Sequence, residues 1–588
     1  MSEGVIREMT EVAHGIPRHS EARSLIPASS REEMDAAVEA TCAAKDGWAA
    51  VPPSERVAIL NRLLADFAAV ADRWVSASVE AKGGEPDGPV AGEEWIAGPF
   101  CVLRNLRLLR DALADIAARG APRIPGPVWT REDGRVAAAV FPASIWDRLF
   151  YAGLTAEVWM QAGITAKELR ETQAVAYQEP AVGGVALVLG GGNVSSIGPM
   201  DVLYKLFVEN RVVVYKAHPV NAYLGPLMDE AFRCVADRGA FRLVYGGAAE
   251  GEYLCQHPRV DEIHVTGSDK TWEAIVFGTG PDAGWRKQQD RPLISKHVTA
   301  ELGNVSPVIV VPGRWSASDI RYQAANLVSM LTNNAGFNCN ATRVIVQDAN
   351  WPGRQRLMDE VRALLARVPP RKAYYPGAAN RAAAFAAAHP EIERFGEASD
   401  GSLPWMLVAG MTARESVDIC YTTEAFCGFF AETALESADV PEYLERAVQF
   451  CNEILWGTLN ATIVVHPGSV GDPASRDALE QAIASLRYGS VSINHWSAVA
   501  YALGVTTWGA FPGHATMDIQ SGTGVVHNTL MFSQPEKSVV RAPFRVWPTP
   551  PWFVTNRAAA ALGPKLARFE AAPSLARAMG IMATAVRG

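Results

Sequence analysis

The chain of 588 residues exceeds the size at which one hydrophobic core stops growing, so two or three domains are expected. Its 49% hydrophobic and 20% charged residues exclude a largely disordered chain, and a formal net charge of -9 argues against a basic face that would neutralise nucleic-acid phosphates. Eight cysteines without a C-x-x-C pair, eleven histidines without an H-x-x-x-H or H-E-x-x-H spacing, and no Walker-type loop point away from a disulfide framework, a motif-encoded metal site and an ATP cradle, so no metal is predicted.

The amino terminus, MSEGVIREMTEVAHGIPRHSEARSL, lacks the apolar core of a signal peptide, and no run of 18 apolar residues occurs. The expectation is a cytoplasmic protein without a membrane span. Residues 31 to 82 read as two amphipathic helices: Met34, Ala37, Val38 and Thr41 share one face, and Pro52 and Pro53 break the pattern before a second periodic run from Arg56. A Pro- and Gly-rich stretch, Gly120 to Gly126, ends a further helix, and Arg135 to Phe141 reads as a strand that begins a separate hairpin.

From Gly183 short apolar runs alternate with helical segments: VALVLGGG, IGPMDVLYKLFVEN, RVVVYK, FRLVYGG and DEIHVTGS. Continuous β-branched runs suit strands covered on both faces, so this is an α/β unit with a parallel sheet, whose ligands sit beyond the strand carboxyl ends. Those ends are Gly190 to Asn193, Lys216 to Pro219, Gly246 to Gly247 and Thr266 to Ser268. A second α/β unit runs from about Ser306 to Asn494, and the tail from Ala558 to Arg587 reads as an Ala-rich surface helix or subunit contact.

Two segments carry chemistry. NNAGFNCNATRVIV puts Cys339 in a small, polar loop before a buried strand, an exposed setting in which a thiol can be a nucleophile. VTAELGNVSP puts Glu301 at the end of an apolar strand, where a carboxylate is costly unless it faces a cleft. Taken singly, Cys339 reads equally as a structural thiol and Glu301 as one half of an ion pair.

The pair E-L-G-N-x-S-P and, 38 positions after its glutamate, the cysteine of N-x-G-x-x-C resembles the signature of the aldehyde dehydrogenase superfamily. The resemblance covers roughly Glu33 to Asn528 and includes Trp48, Pro52, Glu55 and Arg56 near the start. It implies a Rossmann-type cofactor domain, a second α/β catalytic domain and a β-hairpin oligomerisation element. On this reading 1–133 and 176–300 form the cofactor domain, 301–524 the catalytic domain, and 134–175 with 525–588 the oligomerisation and C-terminal region of a homodimer or homotetramer. The resemblance further implies attack on an aldehyde by Cys339, an oxyanion held by the Asn193 amide and the Cys339 N–H, hydride transfer to NAD or NADP, and thioester hydrolysis by water activated at Glu301. It puts Lys216 on the adenosine ribose, Thr266, Gly267 and Ser268 at the pyrophosphate, Glu424 on the nicotinamide ribose and Phe426 beside the ring. The bland readings of Lys216 and Ser268 are a solvated lysine and a helix N-cap.

The chain departs from the family pattern in four places. Pro219 replaces the usual glutamate, leaving NADP open and His218 a candidate for its phosphate. Trp272 stands where a glycine is common and would re-aim the adenosine half; Phe337 replaces a glutamine, and Gly190–Gly192 replace a Pro-Trp pair before Asn193. Trp496, Tyr501, Trp508 and Phe511 lie in a long aromatic segment that reads as core or as the mouth for an apolar aldehyde. Two alternatives remain: a CoA-acylating reductase, less favoured because Glu301 is retained, and a catalytically silent scaffold.

Overall fold

A computed structural model describes residues 26–178, 182–399, 401–412 and 417–588, so the segment read for a leader lies outside the described residues. The first helix, Arg31–Ala49, starts at a capping box between Ser30 and Glu33 and buries Met34, Ala37, Val38 and Thr41, the face predicted from periodicity. The second, Pro53–Ala81, opens on proline at its first position, where no N–H is needed, and buries a stripe from Ile59 to Val79. A third, Cys101–Arg119, ends at Gly120 with φ 84°, a left-handed cap. These helices cover a six-stranded sheet.

That sheet runs in space Gly522–Thr523, His297–Leu302, Glu262–Gly267, Val185–Leu189, Val212–Lys216, Phe241–Val244. All its pairings are parallel except the short Gly522–Thr523 strand. The chain order reverses beside Val185–Leu189, so the loop leaving that strand, which carries Asn193, opens at the topological switch point. The expected boundary at 300/301 is corrected here: it cuts the strand His297–Leu302, and Glu301 pairs in register with Thr266 of the six-stranded sheet.

The second sheet has eleven strands. Its centre, from Pro535–Arg541 through Ser490–Ile493, Asn460–Val464, Pro307–Val310, Val344–Asp348 and Phe429–Leu435 to Trp405–Thr412, is parallel. The hairpin Val136–Phe141 and Thr155–Met160 is not separate, since Thr155–Met160 pairs antiparallel with Pro535–Arg541 and extends this sheet within the same chain. No helix among the described residues is long and apolar enough to cross a membrane.

The tail forms two helices, Ala559–Ala571 and Leu575–Ala585, and the first folds back onto the helical layer. Glu570 is buried there against Arg107 and Arg104 (3.0 Å to Arg104), and Arg104 also meets Asp147 at 3.0 Å. Removing one member of a buried charge network strands the others. Glu570→Ala is therefore expected to lower stability by about 3–5 kcal/mol, read as a lower urea midpoint; an unchanged midpoint would mean the tail contributes nothing to the fold.

Candidate active site

Cys339 follows a turn in which Asn334, Ala335 and Gly336 all have positive φ (51°, 55° and 80°). The E-L-G-N-x-S-P segment lies under this loop, which explains the spacing of the two motifs. Ser306 Oγ lies 3.1 Å from the Cys339 carbonyl oxygen and Asn460 Nδ2 donates to that oxygen at 3.2 Å, while Asn304 Oδ1 ties Ser306 (2.8 Å) to Asn460 (3.1 Å). Cys339 is half-buried rather than exposed, because its thiol turns inward to a hydrogen bond with Glu301.

Two buried cations hold this loop. Lys82 Nζ donates to Glu94 (2.6 Å), to the Asn193 carbonyl (3.1 Å) and to Asn334 Oδ1 (3.0 Å), with Tyr374 OH adding bonds of 2.9 Å to the last two. Arg343 donates to the carbonyls of Gly336 (2.6 Å) and Cys427 (2.7 Å), pinning the cysteine loop to the segment after Glu424. Asn193 Nδ2 donates to the Phe337 carbonyl at 2.8 Å; a primary amide has a second proton available for an oxyanion.

Glu301 is buried beside Cys339, and Trp508 Nε1 donates to it at 3.3 Å. Burial, and then the Asp201 carboxylate, push its pKa up to about 8 against the opposing bonds from Trp508 and Cys339. Burial pushes the Cys339 thiol well above its ordinary value, and Glu301 and Glu424 push it further. At rest Cys339 is a thiol. Tyr501 packs edge-on against Trp508 at 5.8 Å and bonds Ser196 at 2.8 Å, so these two aromatics of the long segment wall the site; Trp496 instead packs in the core and bonds the Asn340 carbonyl at 2.8 Å.

On the cofactor side, Glu424 is wholly buried, and both its carboxylate oxygens lack a hydrogen-bond partner. Burial raises its pKa to about 8; Arg343 and Arg381 oppose the rise, and Glu301 and Asp269 add to it. Gly303 is required at this point, because a Cβ there would collide with the Glu424 carboxylate. Phe426, at φ 40°, packs 5.0 Å from Tyr375 and 5.9 Å from Phe337. Lys216 is buried rather than solvated, bonds the Gly246 carbonyl at 2.9 Å, and is lowered by burial to about 8. Thr266 bonds Asp201 at 2.8 Å, Gly267 is exposed, and Ser268 Oγ caps the helix Asp269–Phe277 through Thr271 N at 3.1 Å.

One expectation from the departures is corrected. Trp272 lies buried in the core of the first unit, edge-on to Phe277 at 6.0 Å, because the helix it rides turns it inward rather than toward the adenosine half. His218 packs on Gly192, where a Cβ would collide with the imidazole, and stacks on Tyr375 at 6.0 Å, which turns its ring into the cleft wall.

Residues 144–398 match the model of the aldehyde dehydrogenase family. Among curated proteins the chain is similar to human (Homo sapiens) 4-trimethylaminobutyraldehyde dehydrogenase, 33% identical over 23% of this chain and 24% of that protein, and to N-succinylglutamate 5-semialdehyde dehydrogenase of Sphingopyxis alaskensis, 28% identical over 32% and 35%. The aligned stretch thus spans about a quarter to a third of the length of these relatives. The fold matches an aldehyde dehydrogenase C mutant of Pseudomonas syringae in complex with NAD+ and octanal, with TM-score 0.60, 16% identity and coverage of 92% of this chain and 98% of that one. It also matches NADP-dependent glyceraldehyde-3-phosphate dehydrogenase of Bacillus halodurans complexed with NADP, with TM-score 0.58, 17% identity, 90% and 98%. The family match over residues 144–398, the curated relatives and the fold all point to the aldehyde dehydrogenase superfamily.

Within this site, sequence reasoning passed over Lys82, Glu94, Asn334, Arg343, Tyr374 and Arg381. Arg343 alone carried a usable signal, a charge opening the buried strand run RVIV. The raised Glu424 has a consequence for stability. A carboxyl held at about 8 in the folded state and ordinary in the unfolded one makes the fold lose stability as pH rises from about 4.5 through 8. Glu424→Gln lacks that loss, so its thermal midpoint relative to the parent is expected to climb between pH 5 and 9, by on the order of a few degrees. A pH-independent difference would refute the raised carboxyl.

Proposed function

We propose that this chain oxidises an aldehyde to its carboxylic acid with NAD or NADP, using Cys339 as nucleophile and Glu301 as general base. The observation that carries the reading is the hydrogen-bonded Cys339–Glu301 pair, enclosed beside the Asn193 amide. Glu424 supports it: a buried carboxylate without a partner is costly, and ribose hydroxyls would supply its missing donors. Ser268, at a helix N-terminus, suits a pyrophosphate through its backbone amide.

When bound, an oxidised nicotinamide supplies the acceptor for the hydride leaving the substrate carbon, and its positive charge offsets the acids around the thiol. The remaining steps belong to the chain. Glu301, as carboxylate, takes the Cys339 proton as sulfur bonds to the aldehyde carbon, and the carbonyl oxygen gains the electron pair and is met by the free Asn193 amide proton. After the thioester forms, Glu301 releases the thiol's proton to solvent and, again a carboxylate, takes a proton from water as hydroxide adds to the acyl carbon; the adduct collapses, the sulfur departs as thiolate and the acid is released.

Turnover of an aldehyde panel with NAD or NADP is expected to vanish in Cys339→Ala and to fall about a hundredfold or more in Glu301→Gln, in which the acylation burst and the hydrolytic step both slow. The parent's hydrolytic step should rise with pH toward about 8. Turnover that persists in Cys339→Ala would sink the assignment.

One observation favours a binding scaffold without turnover: Tyr375 spans the cleft between His218 and Phe426, so the chain's own aromatics line the route a dinucleotide would take. On the enzymatic reading Tyr375 must yield on binding. Such aromatic contacts are each worth about 0.5–1.5 kcal/mol, so Tyr375→Ala is expected to tighten dinucleotide binding about threefold to tenfold by calorimetry. If neither parent nor variant binds a dinucleotide, the scaffold reading stands.

A further inference from the structure

Away from the catalytic groups, the segment leading into Glu424 holds a mixed donor cluster. Asp418 caps the helix Ile419–Thr422, its Oδ1 accepting from Cys420 N at 2.8 Å. His389, which follows the helix Ala378–Ala388, places Nε2 3.1 Å from the same oxygen, and its Nδ1 lies 3.0 Å from Glu391 Oε1. Cys420 is buried and its thiol hydrogen-bonds Asp418. One ligand atom each from His389, Asp418 and Cys420 lies within 4.8 Å of the others.

We propose that His389, Asp418 and Cys420 form a binding site for a divalent cation of the zinc type. The donor set is one nitrogen, one oxygen and one sulfur, the mixture such an ion takes. Ligand atoms on a tetrahedral zinc stand roughly 3.3–3.8 Å apart, a separation these side chains reach by small rotations. Charge closes as well: an aspartate and a thiolate balance the two positive charges, with the imidazole neutral. Loading expels two protons, the Cys420 thiol proton and the one His389 Nε2 directs at Asp418, while Nδ1–H stays on Glu391 as an orienting partner behind the metal ligand. Three protein ligands leave the fourth position to water.

No sequence spacing announces this site, because His389 lies far from Asp418 and Cys420 in the chain and meets them only where two helix ends converge. An ion there ties the helix that carries Arg381, whose guanidinium bonds the Ala425 (3.1 Å) and Phe426 (3.0 Å) carbonyls, to the short helix just before Glu424. It would brace the Glu424–Phe426 segment from behind. The inference is independent of the catalytic assignment.

The test is cobalt titration of the full chain after treatment with EDTA and removal of the chelator. One equivalent is expected to bind with a thiolate-to-cobalt charge-transfer band, present in Cys339→Ala and absent in the near-isosteric Cys420→Ser. His389→Gln should weaken binding tenfold or more, and zinc should raise the thermal midpoint of the parent but not of Cys420→Ser. Failure to bind one equivalent, a band that survives in Cys420→Ser, or equal zinc shifts in both proteins would overturn the site and leave a hydrogen-bonded His–carboxylate cluster in its place.

Discussion

Lys82 Nζ has three protons and three oxygen partners, one each from the helical layer (Glu94), the switch-point loop (Asn193) and the cysteine loop (Asn334). Burying an ammonium costs several kcal/mol unless every donor is met, so this arrangement is stable only when all three segments are in place. The two loops that define the site are thereby tied to each other through a residue that does no chemistry. Tyr374 reinforces the tie by bonding both loops and placing its ring 5.1 Å from the same ammonium. The Asn193 loop and the Cys339 loop are thus located by the outer helices as much as by the strands that precede them.

Around that frame the site collects acids. Glu301, Glu424 and Asp201 lie within electrostatic reach of one another or of Cys339, and the raised carboxyls and thiol follow from burying them together. Arg343 and Arg381 lower the strain only in part, since their guanidiniums are committed to backbone carbonyls. An enclosure with surplus negative charge and protonated groups at rest is complementary to a cation, and a cation arriving there would lower the proton affinity of thiol and carboxyls at once. Proton bookkeeping and ligand binding are coupled by this geometry.

Most of the fold was legible in the sequence because its strands are continuous apolar runs and its first helices have clean periodicity and proline breaks. That Cys339 and Glu301 lie together was legible because of the fixed spacing of their motifs: Asn304 and Ser306 floor the loop that carries Cys339. What escaped was set by tertiary packing. Lys82 and Glu94 sit in helical stretches where a charged residue reads as solvated surface, and only the fold turns them inward. Trp272 looked like an obstruction because a local alignment cannot say which face of a helix is buried. The domain boundary failed at Glu301 because the strand that ends there belongs by hydrogen bonding to the first sheet while its side chain serves the second unit's cysteine.

Two of the positions that differ from the family pattern, Gly192 and Phe337, belong to one packing solution. Gly192 leaves room for the His218 imidazole, His218 stacks on Tyr375, and Tyr375 meets Phe426 and Phe337. Restoring bulk at 192 would evict His218, and losing Phe337 would open the wall on which Tyr374 and Tyr375 rest. These residues come from separate segments and fit as a set, and beside them the buried Glu424 carboxyl has no hydrogen-bond partner, a polar demand that aromatic packing cannot meet.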